Sequence, residues 1–282
     1  MTNDLMGKGR KFRALHEGPD IFVMPNAWDA GSAMLLAAAG CQAIGTTSGG
    51  VNWSRGCQDY VYHTPAEVML EAYGDIAAAV DLPVSGDLEN GYGESPVVVA
   101  RTIRQSVEQG MVGGSIEDST ADPDQPLYDI ELAVERIVAA REAADATGVP
   151  YSLTARAETF YAGLDDPFAE AVRRANRYRE AGADCIFVPG LVGAEAIGGF
   201  VREVSAPVSV VMGLVGEPLS VADLGALGVR RISTGASIAR AALATVRNAA
   251  REIMEQGSFG YAAAAIPDAE INAFFAPPGT AQ

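Results

Sequence analysis

One alternation, repeated eight times, limits the fold more than any other feature of the chain. A short apolar run rich in β-branched residues leads into a loop. An Ala-rich segment follows, with apolar residues recurring every three or four positions. The apolar runs fall at residues 21–25, 43–47, 83–89, 114–118, 152–156, 185–189, 208–212 and 231–234. The helical segments between and after them fall at 30–39, 65–80, 96–108, 130–146, 167–181, 194–204, 220–227 and 236–255. Strict alternation predicts a parallel sheet. Eight units favour a closed (β/α)8 barrel over an open sheet. The turn after the first run, Pro25-Asn26-Ala27-Trp28-Asp29, lacks the glycine spacing of a dinucleotide-binding fold. We read residues 1–282 as one barrel domain with a C-terminal helical tail from residue 236.

Boundary residues support this frame. Thr64, Pro65 and Glu67 have the spacing of a capping box with Pro at the first helical position, and Ser95-Pro96 starts the next helix similarly. Gly40, Gly110, Gly148, Gly182 and Gly228 follow helical segments, where left-handed caps are expected.

Composition removes several classes of function. The 282 residues are 49% hydrophobic and carry a formal charge of -16. Nucleic-acid phosphates and anionic membrane surfaces call for a basic face, so neither is an expected partner. No apolar run approaches the ~20 residues of a membrane span, and the polar N-terminus lacks the apolar core of a signal peptide. Cys41, Cys57 and Cys185 are scattered and odd in number, which reads as reduced thiols in the cytoplasm. Two histidines, His16 and His63, cannot build a His-rich zinc site.

In a barrel, chemistry gathers at the C-terminal ends of the strands. Those ends carry Asp59, Asp87, Glu89, Glu117 and Glu158. Asp87 and Glu89 are two apart, as are Arg156 and Glu158, which on a strand is one side. Carboxylates this close repel unless neutralised. An all-oxygen set suits Mg²⁺ or Mn²⁺ better than Zn²⁺. Arg156 is the candidate anchor for a substrate carboxylate. The Gly45-Thr46-Thr47-Ser48-Gly49-Gly50 turn offers amides and hydroxyls to an anion. The turns 212–216 and 233–237 follow the last two strands, where phosphate-binding barrels hold phosphate, so a phosphate-ester enzyme is a rival reading.

The Pro-Asn-Ala-Trp-Asp segment, the Thr-Thr-Ser-Gly-Gly turn, Asp87-x-Glu89-x-Gly-Tyr-Gly, Ile116-Glu117-Asp118 and Ala155-Arg156-Ala157-Glu158 resemble the isocitrate lyase/phosphoenolpyruvate mutase superfamily over nearly the whole barrel. The resemblance implies Mg²⁺ held directly by Asp87, with Asp59, Glu89 and Glu117 acting mostly through water. It implies an α-keto or 2-hydroxy carboxylate held by Thr47, Ser48, Gly49 and Arg156. The reaction implied is C–C lysis or decarboxylation beside a pyruvate-like enolate. It further implies an eighth helix exchanged between subunits of a homodimer or homotetramer. Lyases of the superfamily carry a Lys-[Lys/Arg]-Cys-Gly-His motif after the fourth strand. Here residues 119–127 hold no Cys, His or Lys, and the Lys and Asn of the mutases are missing too. Proton transfer is therefore left to Glu117, Glu158, Tyr92 or water, with Arg156 completing the catalytic set. P–C bond mutase or hydrolase chemistry and a non-catalytic keto-acid sensor stand as alternatives. The two prolines and two aspartates of residues 119–127 suit a closing lid.

Overall fold

The computed structural model describes residues 4–120 and 122–276. They form two compact units, Met1–Ile238 and Ala239–Gln282. In the first, nine strand segments make one parallel sheet: β1 (Phe22–Met24), β2 (Asn26–Ala27), β3 (Ile44–Thr46), β4 (Val84–Asp87), β5 (Gly113–Glu117), β6 (Ser152–Arg156), β7 (Cys185–Phe187), β8 (Val208–Val211) and β9 (Arg231–Ser233). Their order is β1-β9-β8-β7-β6-β5-β4-β3-β2. The two ends of that series are joined covalently. Pro25 has no N–H to give a ladder, so the first run divides around it: β1 pairs with β9 and β2 with β3. Counting β1 and β2 as one bent strand gives the expected eight, closed into a barrel.

Helices alternate with the strands: α2 (Ala30–Ala38), α3 (Ser48–Ser54), α4 (Ala66–Ala79), α5 (Pro96–Glu108), α6 (Ile130–Ala146), α7 (Pro167–Glu180), α8 (Ala194–Glu203) and α9 (Val221–Ala226). All five glycines expected to end helices have positive φ, between 73° and 103°. Ser95 caps α5 as expected. The capping box at Thr64 does not form. Pro65 is the N-cap of α4 with no side-chain bond, and the Thr64 hydroxyl instead donates to Asn52 Oδ1 at 2.6 Å. A stronger tertiary acceptor took the hydroxyl from the helix end.

Helix α1 (Leu5–Glu17), not anticipated from the sequence, buries Gly9, Phe12 and His16. Phe12 packs with Phe22, Met24, Ala43 and Val112. An added Cβ at Gly113 of β5 would stand 2.6 Å from the Phe12 ring. His16 Nδ1–H donates to Phe12 O at 2.9 Å, leaving Nε2 to accept from Arg231 of β9. Burial, then the Arg231 charge, pushes the His16 pKa down to about 3, so it is neutral. Arg231 also reaches Ser209 on β8 and Thr154 on β6. The larger core lies around the barrel, where residues such as Ile76, Ile103, Leu153, Ile186 and Phe200 are buried.

The second unit continues from α10 (Ser237–Arg251) through a π turn (Glu252–Gln256) to α11 (Asp268–Phe275). Val246, Met254 and Phe259 are more than half exposed there. Among the described residues no helix is long and apolar enough to cross a membrane, and all three cysteines are free thiols.

Candidate active site

Three strand ends build the mouth. The register pairs Asp87 with Ser115 and Glu117 with Arg156, so these ends lie side by side. Asp87, the last residue of β4, is held from three sides. Its N–H donates to Thr46 Oγ1, its carbonyl accepts from Tyr73, and Oδ2 accepts from Ser48 N–H at 2.9 Å. Arg156 sits among carboxylates: Nη1 lies 3.0 Å from Glu117 and 3.5 Å from Asp87, and Nε donates to Glu158. Burial alone would lower its pKa, but Glu117, Glu158 and Asp87 hold it firmly charged.

Glu89 and Glu158 reach the mouth by a different route from the one the two-residue spacing suggests. Strand β4 ends at Asp87 and β6 at Arg156, so neither acid is on a strand. Glu89 instead takes a left-handed φ of 49°. Its Oε2 is buried without a hydrogen-bond partner, as is the hydroxyl of Tyr92. Burial, then the charges of Asp87 and Glu117, pushes the Glu89 pKa up to about 8. Burial raises Glu117 to about 8 despite Arg156, and Glu158 is raised for the same reason. Asp59 is raised by burial and by Asp87; its Oδ1 accepts from Asn52 Nδ2 at 3.2 Å.

The Thr47–Gly49 turn opens helix α3. Thr47 is its N-cap, with Oγ1 accepting from Gly50 N–H, so its hydroxyl has a structural task. Gly49 has a steric one: a Cβ there would lie 2.8 Å from Asp59 Oδ2 and 3.3 Å from Trp53. Only a bare backbone lets the Asp59 carboxylate lie this close.

Several site residues carry no motif. Tyr62 donates its hydroxyl to Glu117 Oε1, and burial, then the Glu117 charge, raises its pKa. Tyr60 and Tyr62, with Glu89 and Tyr92, are the non-glycine residues with positive φ among the described residues. All four belong to loops at the mouth. Arg136 of α6, 1% exposed, donates to the carbonyls of Asn90, Gly93 and Glu94 and stacks on Tyr128 with 4.2 Å to the ring centroid. Asp118 is bound by Arg174, Tyr178 and the Glu158 N–H, which ties β5 to β6 and α7. Its part is structural.

Two other sequence signals take part in local architecture. Asn26 Oδ1 accepts from the amides of Thr234 and Gly235 at 2.9 and 3.0 Å. Two of the amides that could meet a phosphate after the last strand are thus already engaged. The loop expected to be a lid folds on itself through a Ser119–Leu127 bridge, and Asp122 Oδ1 accepts from Asp124 N–H within it.

Comparison with known proteins bears on the fold and the family. The family profile of phosphoenolpyruvate phosphomutase matches residues 12–254. A 2-methylisocitrate lyase of Aeropyrum pernix is 30% identical, over 89% of this chain and 81% of that one. An uncharacterized protein of Mycobacterium tuberculosis is 35% identical, over 86% and 89%. A crystal structure from Burkholderia cenocepacia J2315, of a protein provisionally named a lyase/mutase, superposes with a TM-score of 0.93 at 47% identity, covering 97% of each chain. Barrel, mouth and matched profile together place the chain in the phosphoenolpyruvate phosphomutase family, within the isocitrate lyase/phosphoenolpyruvate mutase superfamily.

Proposed function

We propose that the protein is a Mg²⁺-dependent (or Mn²⁺-dependent) carbon–carbon lyase or decarboxylase that works beside the keto or hydroxyl group of an α-keto or 2-hydroxy carboxylate. The observation that carries this reading is the mouth itself: Asp87, Glu117 and Glu158 converge on Arg156, and Glu89 Oε2 is buried with no partner. A buried acceptor left unsatisfied costs about 1–3 kcal/mol, so the site is complete only with something positive or proton-donating against it.

A hydrated divalent cation fits these residues. Among the described residues no three His, Cys, Asp or Glu side chains cluster closely enough to cage a metal. Mg²⁺ does not ask for a cage; it keeps several waters and takes one or two carboxylates. Asp87 would hold it, with Asp59, Glu89 and Glu117 in support. When bound, such an ion stabilises negative charge developing on a substrate oxygen. Arg156 receives the substrate carboxylate, giving up its long 3.5 Å contact with Asp87 and keeping Glu117 and Glu158 as orienting partners. The backbone of Ser48 and Gly49 lies beside Asp87, where it meets the same end of the substrate. Glu117 and Tyr62, which share a hydrogen bond, hold and pass a proton in this reading. Glu158 and Tyr92 complete the acid/base set.

The test is a panel of 2-hydroxy, β-keto and phosphono acids offered to the Mg²⁺-loaded protein, with release of α-keto acid followed. Asp87→Ala is expected to abolish both metal binding and turnover. Calorimetry giving unchanged binding of Mg²⁺ and pyruvate in that variant overturns the assignment. Binding without turnover across the whole panel leaves a keto-acid sensor.

A further inference from the structure

The charged side chains of the mouth belong to one half of its rim. Asp59, Asp87, Glu89 and Glu117 come from the ends of β3, β4 and β5 and the segments after them, and Arg156 and Glu158 from the end of β6. The sheet order places β7, β8 and β9 in the other half. The segments that follow β7 and β8 differ in kind. Residues 188–193 read Val-Pro-Gly-Leu-Val-Gly and residues 212–216 read Met-Gly-Leu-Val-Gly, with no charged, hydroxyl or amide side chain in either. Parallel strands bring these segments to the same end of the barrel as the acids.

These apolar segments form an arc that reaches the site at both ends. At one end the Arg156 guanidinium lies over the ring of Phe187, the last residue of β7, at 5.4 Å from its centroid. Farther round, a Cβ added to Gly190 would stand 2.7 Å from Phe160 and 3.4 Å from the Tyr161 ring, and one added to Gly216 would stand 3.1 Å from Val192. A Cβ on Gly235 would stand 3.0 Å from Leu214, and one on Gly49 would stand 3.4 Å from Ala236. The arc thus runs from Arg156 to the Ser48–Gly49 turn. Its inner part is packed, with Leu191 buried, but Tyr161, Val192 and Val215 at its rim are 60%, 38% and 51% exposed. An apolar surface that borders a charged site and stays open to solvent fits the hydrocarbon part of a ligand. Three exposed side chains from three segments are more than one methyl group can cover.

We propose that this arc is a specificity surface, which binds a hydrocarbon substituent longer than a methyl group on the carbon next to the substrate's keto or hydroxyl group. The substituent is additional to the anionic groups of the substrate and leaves their handling as described. This rests on the reading of the site given under Proposed function and deepens it, by narrowing the substrate class to members with an alkyl or arylalkyl side chain.

Calorimetry on the full-length, Mg²⁺-loaded protein with pyruvate, 2-oxobutanoate and 2-oxohexanoate tests it. Each buried methylene tightens binding by about fourfold. So 2-oxohexanoate should bind at least about tenfold tighter than pyruvate, with 2-oxobutanoate between them. A Val192→Asn, Val215→Asn double variant, altered at the exposed rim, should cut that advantage to under about threefold. Should the variant not fold, the series on the unmodified protein decides by itself. Equal affinities across the three acids, or an advantage that survives in the folded double variant, overturn the inference and leave the site's reading intact. Binding of pyruvate that does not depend on Mg²⁺, or no binding of any of the three acids, overturns that reading and the inference with it.

Discussion

Glu89 and Glu117 are carboxylic acids held where ionisation is unfavourable, and their titration has a definite sign. Each has a folded-state pKa of about 8, above the ordinary 4.5. Between those values the folded, metal-free protein binds more protons than the unfolded chain, so stability falls as pH rises through that window. A divalent cation favours the ionised forms and opposes the loss. We therefore expect the Tm of metal-free protein to decline from pH 5 to pH 8 by more than a Glu89→Gln, Glu117→Gln double variant does. The upward Tm shift on adding Mg²⁺ should grow over the same range. Differential scanning calorimetry in chelator-treated and Mg²⁺-containing buffers measures both; a pH-independent Mg²⁺ shift would count against the metal sitting among these acids. Which residues form the mouth was largely legible, because Asp87, Glu117 and Arg156 end strands whose apolar runs are plain. Tyr62 was not legible. It stands in an irregular loop, and only the tertiary path of that loop brings its hydroxyl to Glu117.

Among the elements, α1 and α6 teach opposite lessons. Helix α1 was missed because its buried face is only Gly9, Phe12 and His16 on an otherwise polar helix, too narrow a stripe to stand out. Helix α6 was anticipated to the residue, since 17 residues with regular apolar spacing leave little doubt. The task of its Arg136 could not be read from spacing, because all three acceptors are backbone carbonyls of the loop after β4. That loop carries Glu89 and Tyr92, so α6 fixes part of the mouth from behind. Arg136→Met would leave those carbonyls buried without donors, at a cost of about 3 kcal/mol. Denaturant unfolding should register that loss. Mg²⁺ affinity measured well below the new midpoint should fall as well, and an unchanged affinity would confine Arg136 to stability. The other strands and helices were readable to within a few residues, save α3 (Ser48–Ser54), which the turn at Thr47 hid, and the first run, where Pro25 divides one strand between two neighbours.

On the scale of the whole molecule, Ala239–Gln282 displays Val246, Met254 and Phe259 at 65%, 83% and 66% exposure. Large apolar side chains left this open mark an association surface. We expect the protein to be a homo-oligomer, with light scattering giving an integer multiple, two or four, of the 29.3 kDa chain mass. A monomer mass across micromolar concentrations would remove the exchanged-helix reading. The barrel's closure has a consequence in time. Its first strand finds its partner in β9, and the Arg231–His16 contact spans 215 residues of sequence. A growing chain on the ribosome holds β1 without its strand partner β9 until nearly the whole of Met1–Ile238 has emerged. Contacts this distant in sequence are the slowest to form. The open edges of a half-made sheet are also what strays into other chains. The step that closes the ring at Pro25 is thus where production of this protein is most exposed to aggregation.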